Sequence, residues 1–100
     1  MDLQEIVELK RFEYKVPGGK LIRAKLEVEE NQIRFLQLTG DFFMLPETDL
    51  EELETHLIGS TANPQGIERT VGEFFTRKKT TIAGATTSDF AYVITQALRS

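Results

Sequence analysis

The chain has 100 residues, of which 40% are hydrophobic and 28% charged, as expected for one globular domain. Its net charge of −4 disfavours nucleic acid as the main partner, because phosphate neutralisation requires excess cations. Cysteine is absent and His56 is the one histidine, which excludes disulfides, thiolate nucleophiles, cysteine-ligated metals and His-rich metal sites. We expect no catalysis by the chain alone. The lack of a membrane-length apolar run and of a secretion leader predicts a cytoplasmic protein.

The first two predicted strands cover residues 12–16 and 22–29. Apolar and charged side chains alternate in both, with period two. The apolar positions are Phe12, Tyr14 and Val16 in the first, and Ile22, Ala24, Leu26 and Val28 in the second. Residues 1–11 allow two interpretations. Leu3, Ile6 and Val7 suit a short helix, whereas Val7 and Leu9 suit an extension of the first strand.

The stretch between these strands, KVPGGKLIRA, resembles both a phosphate-binding loop and a tight turn. A phosphate-binding loop of the Walker type requires a hydroxyl after its lysine and then a helix. Here Leu21 follows Lys20, and a strand comes next. The sequence therefore predicts a hairpin turn at Pro17, Gly18 and Gly19. The two bracketing lysines, Lys15 and Lys20, would let its tip contact an anion held mainly by another protein.

A third strand is predicted over residues 32–40, and its pattern is irregular. Ile33, Leu36 and Leu38 share one face only if a β-bulge inserts a residue near Arg34 and Phe35. Without the bulge, Phe35 would project from the polar side, where a partner could cover it.

The segment TGDFFMLPE follows this strand. Gly40 at the strand end suggests a close backbone approach, and two adjacent aromatics leave the strand in opposite directions. We expect one of Phe42 and Phe43 in the core, and the other under the first helix or available to a partner. Asp41 would cap the following turn or act as a carboxylate, and capping is the commoner role.

Three helices are predicted in the second half of the chain. The first has the apolar residues Leu50, Leu53, Leu57 and Ile58, with a capping box of Thr48 and Glu51 and a stop at Gly59. The second starts at Asn63 and Pro64 and carries Ile67, Val71, Phe74 and Phe75. The third is capped within 86–88 and carries Phe90, Val93, Ile94, Ala97 and Leu98.

The charged residues of these helices have simple structural interpretations. The acidic run Glu47, Asp49, Glu51, Glu52 and Glu54 is expected to be a solvated helix face, and the basic run 77–79 a helix end favoured by the macrodipole. His56 is expected at the surface. One apolar stripe per helix and one apolar sheet face predict an α+β fold. It has a small antiparallel three-stranded sheet and about three helices packed on one face, in two layers.

Read together, two motifs carry a resemblance to a known family. Lys15-Val16-Pro17-Gly18-Gly19-Lys20-Leu21 and Gly40-Asp41-Phe42-Phe43, followed by Pro46, resemble the C-terminal accessory domain of lipoate–protein ligases. The closing AGATTSDFAYVITQAL resembles the final turn and helix of that domain, although TTSD stands where proline and glutamate are common. The resemblance runs from about Tyr14 to Leu98, and we treat residues 1–100 as one accessory domain.

The resemblance implies a fold similar to the SufE/NifU-like scaffold of iron–sulfur assembly. Proteins with that scaffold transfer sulfur through cysteine, and the lack of cysteine excludes this activity here. It also implies a reaction in two steps. Lipoate and ATP, with magnesium, form lipoyl-AMP, and the lipoyl group then passes to a carrier lysine in 2-oxoacid dehydrogenases or the glycine-cleavage H protein. With no catalytic domain before residue 1, the chain resembles the small subunit of a bipartite ligase. ATP, magnesium and lipoate would then be bound in a heterodimer with the catalytic subunit.

Within such a heterodimer, we interpret the chain as a lid on the adenylation site, with no catalytic residue of its own. The expected contacts to the partner are Lys15, Pro17, Gly18, Gly19, Lys20, Gly40, Asp41, Phe42 and Phe43. An alternative is a subunit that binds the ligase or the carrier without a role in adenylation. A small-molecule binder is disfavoured by the small core.

Overall fold

The computed structural model describes residues 6–100. Five strands and three helices form within this range. In chain order they are β1 (Val7–Lys15), β2 (Leu21–Glu29), β3 (Gln32–Gly40), β4 (Phe43–Leu45), α1 (Thr48–Leu57), α2 (Pro64–Lys78), β5 (Thr81–Ala83) and α3 (Thr87–Leu98). No helix of the described range has the length and apolar content needed to cross a membrane.

The main sheet is antiparallel, with the strand order β1-β2-β3. Its register pairs Val7 with Glu29 at one end and Lys15 with Leu21 at the other. The strand interpretation of residues 7–11 is therefore confirmed, and the helix interpretation is wrong for them. Leu3 lies outside the described residues.

The β-bulge predicted in β3 is confirmed. The register between β2 and β3 shifts so that Glu27 pairs with Phe35 and Val28 with Ile33, which leaves Arg34 as the inserted residue. Because of this insertion, Ile33, Leu36 and Leu38 are all buried on one face. Phe35 still points to the opposite face, where it is half-buried.

The helices cover the apolar face of this sheet. α3 packs on β1 and β2, α1 packs on β3, and α2 packs chiefly against α3. The fully buried side chains that join the layers are Ile22, Leu26, Ile33, Leu53, Leu57, Ile67, Val71, Phe90, Val93 and Ile94. The α+β prediction with helices on one face is thus confirmed, and within residues 6–100 the other face of the sheet carries no helix.

Helix starts follow the predicted caps in two cases. Asn63 caps α2 by accepting hydrogen bonds from the backbone N–H groups of Gln65 and Gly66, with Pro64 as the first helical residue. Thr86 and Asp89 form a reciprocal capping box on α3. The capping box predicted for α1 is wrong, because its N-cap is Glu47 and no side chain caps it.

The end of α1 departs from the prediction in one respect. Ile58, expected on the apolar stripe, is the C-cap residue and is 43% exposed. Gly59 follows with φ +94°, which is the expected helix stop.

A second small sheet was not predicted. β4 and β5 form an antiparallel ribbon that pairs Phe43 with Ala83 and Leu45 with Thr81. The central residue Met44 is buried against the core, whereas Phe43 and Leu45 face outward. Three-residue strands give too short an alternation to be distinguished from loop in the sequence.

The acidic run on α1 is only partly the solvated face that we expected. Asp49 is buried, accepts a hydrogen bond from the Thr80 hydroxyl and lies 3.9 Å from the Lys78 ammonium. Glu52 is half exposed and forms a 2.6 Å ion pair with Lys78. These contacts join the start of α1 to the end of α2.

Glu54 of the same run covers the outer edge of β3. Its carboxylate oxygen Oε2 accepts the backbone N–H of Leu38 at 2.8 Å. Burial raises the pKa of Glu54 above its usual value of 4.5. The hydrogen bond from Leu38 lowers the pKa by less than burial raises it, and the nearby Glu51 carboxylate raises it slightly further. The side chain therefore satisfies a strand-edge donor that no further strand pairs with.

Glu54→Gln tests this assignment through its pH dependence. Because the folded-state pKa lies above the unfolded value, the native state binds the proton first as pH falls. The protonated side chain therefore contributes its full stabilisation below pH 4.5, the pKa in the unfolded chain. This stabilisation is lost as the pH rises through the higher pKa of the folded state. A neutral amide keeps an oxygen for Leu38 without this loss. The variant's stability relative to wild type should therefore increase from acid to neutral pH in urea unfolding.

Exposed Glu73 on α2 provides the control for replacing a carboxylate by an amide, and Glu73→Gln should change the free energy of unfolding at neutral pH by less than about 0.5 kcal/mol. A relative stability of the Glu54 variant that falls as pH rises would mean that the folded-state pKa is depressed, contrary to this assignment.

Candidate functional site

The KVPGGK stretch is a hairpin turn. The Val16 N–H donates to the Lys20 carbonyl at 2.7 Å, and the Gly19 N–H donates to the Val16 carbonyl at 2.9 Å. Gly18 and Gly19 have φ values of +107° and +105°, which other residues rarely adopt. β2 follows directly from Leu21, so the phosphate-loop interpretation, which needs a helix there, is excluded.

The second motif is tied to this hairpin by its glycine. A Cβ atom on Gly40 would lie 2.1 Å from the Leu21 carbonyl oxygen, so only glycine fits at this approach. The next residue, Asp41, donates its backbone N–H to the same carbonyl at 2.9 Å. The close approach expected at Gly40 is thus confirmed. It places the two family motifs side by side at one end of the main sheet.

A third segment completes this end of the molecule. Gly84 has φ +94°, and a Cβ atom there would lie 3.2 Å from the Asp41 carbonyl oxygen and 3.4 Å from Cγ of Lys20. We call the assembly of residues 15–20, 40–43 and Gly84 the hairpin end. Sequence reasoning did not select Gly84 as a site residue. The indication of Gly84 in the sequence was a single glycine two residues before Thr86, the N-cap of α3.

The two adjacent phenylalanines separate as expected. The Phe42 ring packs edge-on against Phe90 with ring centroids 4.9 Å apart, so it belongs to the core. Phe43 is 74% exposed, and Leu45 beside it on β4 is 57% exposed. Phe43 of the hairpin end and Leu45 beyond it form an apolar ridge on the β4–β5 ribbon. Leu45 was not among the predicted site residues.

The charged groups of the hairpin end have no partners within residues 6–100. Lys15 and Lys20 are exposed, and no carboxylate of the described chain pairs with either ammonium. The Asp41 carboxylate is exposed and accepts no hydrogen bond there, so the capping role expected for it is wrong. The cations bordering the turn are therefore available to an external anion.

The described residues offer little else that is typical of a catalytic centre. No group of three carboxylate or imidazole side chains converges within residues 6–100. His56 is exposed, with its ring centroid 5.9 Å from that of Phe74. The hairpin end can thus supply positive charge, rigid backbone and an apolar contact.

The fold and both motifs agree with a family comparison. The model of the bacterial lipoate protein ligase C-terminus matches residues 10–94. The chain belongs to this family. The match includes both motifs and the first part of the closing helix α3, up to residue 94.

Two relatives refine the comparison. The lipoate-protein ligase A subunit 2 of Thermoplasma acidophilum is 44% identical over 41 residues, covering 41% of this chain and 44% of that protein. The aligned part thus spans less than half of that curated relative. One chain in the solved structure of an archaeal lipoylation system, a bi-partite lipoate protein ligase and its E2 lipoyl domain from the same organism, is 30% identical with TM-score 0.70. That match covers 97% of this chain and 99% of that one.

Gly40→Ala tests the constraint that joins the two motifs. The new methyl group would collide with the Leu21 carbonyl, so we expect a loss of about 1–3 kcal/mol in the free energy of unfolding. Gly72→Ala is a matched control, because its Cβ meets nothing within 4 Å inside α2. That substitution should raise stability by about 0.4–1 kcal/mol. Equal effects of both substitutions in urea unfolding would contradict the close approach at Gly40.

Proposed function

We propose that this chain is the accessory subunit of a bipartite lipoate–protein ligase, required with the catalytic subunit for ATP-dependent activation of lipoate. The end-to-end match to one chain of the two-part archaeal ligase carries this proposal. The curated relative named as subunit 2 of such a ligase supports it.

The chemistry of activation explains why a separate closing subunit would help. A carboxylate oxygen of lipoate attacks the α-phosphorus of ATP, the bond to the β-phosphate oxygen breaks, and pyrophosphate leaves. The product is a mixed anhydride that water hydrolyses unless the site is closed. In the second step a carrier lysine amine attacks the acyl carbon, and AMP leaves. A lid would exclude water in both steps and strengthen the electrostatic contacts inside.

The hairpin end has the properties that such a lid requires. Its backbone is held by the turn hydrogen bonds and by the contact of Gly40 and Asp41 with Leu21. Lys15 and Lys20 carry positive charge at this end. The ATP phosphates and the lipoate carboxylate that react in the complex are anionic, so they would attract these two ammonium groups. Pro17, Gly18 and Gly19 are exposed and small, so the tip can enter a cleft.

The apolar ridge of Phe43 and Leu45 is the proposed anchor on the catalytic subunit. Exposed aromatic side chains are typical of the central contacts of protein interfaces. This ridge alone would also suit the alternative, a subunit that binds the ligase or carrier without affecting adenylation. The lysines beside it favour the lid.

ATP, lipoate and magnesium are assigned to the complex rather than to this chain. Residues 6–100 bring no three possible metal ligands together, so in the proposed complex magnesium would be held outside this chain. A lipoyl carrier domain is the proposed acceptor, and the solved structure of the archaeal system includes such a domain of that organism. The cytoplasmic location remains a prediction from the sequence.

Lys20→Ala tests the contribution of the hairpin end to activation. A charge-assisted hydrogen bond is worth about 1.5–3 kcal/mol, so lipoyl-AMP formation should slow by about 10- to 150-fold. Transfer from preformed lipoyl-AMP to the carrier should change little. Pyrophosphate release and carrier lipoylation by the reconstituted complex measure the two steps separately.

Two further variants make this result specific. Lys20→Arg keeps the charge and should restore most of the rate, whereas Arg69→Ala removes an exposed cation from α2 and should change neither step. If Lys20→Ala leaves both steps at the wild-type rate, Lys20 is a surface residue of the turn without a role in activation.

A further inference from the structure

The face of the main sheet opposite the helices carries a second charged surface, which we call the open face. Side chains alternate across the sheet, so the odd-numbered residues of β1 and β2 lie on this side. Phe35, Gln37 and Thr39 of β3 complete it through their pairing with Glu27, Lys25 and Arg23. No helix of the described chain covers this face.

The half of the open face nearest the turn is basic. Over residues 11–15 and 21–25 its cations are Arg11, Lys15, Arg23 and Lys25, and its carboxylate is Glu13, which pairs with Arg23 at 3.0 Å. The carboxylates of Glu27 and Glu29 lie on the other half of the face. This local excess of cations contrasts with the net charge of −4 of the whole chain. A local positive surface on an acidic protein is suited to steering an acidic partner.

One cation pair on this face opposes the stability of the sheet. Arg11 and Lys25 are directly opposite each other on β1 and β2, and Gln37 follows them on β3. Like charges at such positions destabilise a sheet. Within residues 6–100, neither cation has an ion pair that would compensate. The pair therefore does not stabilise the sheet, and its exposed position leaves it available for binding.

The shape of this surface favours a protein partner over a small ligand. The groove along it is lined by Arg11, Glu13, Arg23, Lys25, Gln37 and Thr39 and holds about 240 Å³. Small-molecule pockets are usually larger, on the order of 300–1,000 Å³, and enclosed. The other half of the face exposes Leu9 by 64% and Val7 by 43%. Arginine beside exposed apolar groups is a composition common in protein interfaces.

We propose that the open face docks an acidic surface of the carrier protein that receives the lipoyl group. This inference rests on the proposed function. It assigns the carrier a surface separate from the ridge of Phe43 and Leu45 that anchors the catalytic subunit. Arg11 is four residues from Lys15 along β1, or about 13 Å. A carrier docked on the Arg11–Lys25 row therefore lies next to the hairpin end, where its acceptor lysine is needed.

Arg11→Glu in the complete two-subunit ligase tests the proposal. The substitution places an acid opposite Lys25, so the variant should fold with an unchanged or higher Tm. We expect the KM for the carrier to rise about tenfold, because charge steering is lost, while kcat changes little. Lipoyl-AMP formation without carrier should stay at the wild-type rate. Added salt should raise the wild-type KM more than that of the variant.

Arg69→Glu is the matched control, with the same charge change on α2, and it should leave the KM for the carrier unchanged. Lys25→Gln is a second variant that avoids a new charge and should raise that KM less than Arg11→Glu does.

Three results would overturn the proposal. The first is an unchanged KM in both open-face variants. The second is a loss of catalytic-subunit binding in these variants, which would assign the face to the subunit interface. The third is binding of a labelled single-stranded oligonucleotide that Arg11→Glu abolishes, which would assign it to nucleic acid. Failure of the proposed function is distinguishable, because wild-type lipoyl-AMP formation would then not depend on this chain.

Discussion

The contact between Gly40 and Leu21 is the constraint on which the rest of the hairpin end depends. It brings the end of β3 so close to the start of β2 that a single methyl group would collide with a carbonyl oxygen. Because Asp41 then donates its N–H to that carbonyl, the chain leaves the sheet in a fixed direction. Phe42 enters the core from this exit and Phe43 turns outward. The lysines of the turn and the apolar ridge are consequently held in one fixed arrangement.

The rest of the fold keeps the open face of the sheet, the hairpin turn and the apolar ridge as separate exposed surfaces. In the part of the chain that the structure describes, the helices cover one face of the sheet and leave the other face exposed, with a basic half next to the turn. Glu54 and the chain after α1 cover the outer edge of β3, since the Ile33 N–H donates to the Ser60 carbonyl. The ridge, the turn and the open face therefore remain exposed around one end of the sheet. That arrangement suits a subunit that lies between a catalytic partner and a carrier.

Local patterns were sufficient to predict most of the fold. The bulge at Arg34 followed from three apolar residues that had to share a face, and the caps at Asn63 and Thr86 followed from residue types at fixed offsets. The features that were missed depend on long-range contacts. Asp49 is buried because Thr80, 31 residues away, reaches its carboxylate. The β4–β5 ribbon forms because Phe43 meets Ala83 across two intervening helices. Sequence reasoning found the hairpin end through its motifs, but Gly84 joins it only in three dimensions.

In the proposed function, activation of lipoate requires this chain together with a catalytic subunit. The most direct measurement is pyrophosphate release by the purified catalytic subunit, with ATP, magnesium and lipoate, as the chain is titrated into it. The rate should rise from near background and saturate when the two subunits are equimolar, with no release by the chain alone. Full release by the catalytic subunit without the chain, or release by the chain alone, would contradict it.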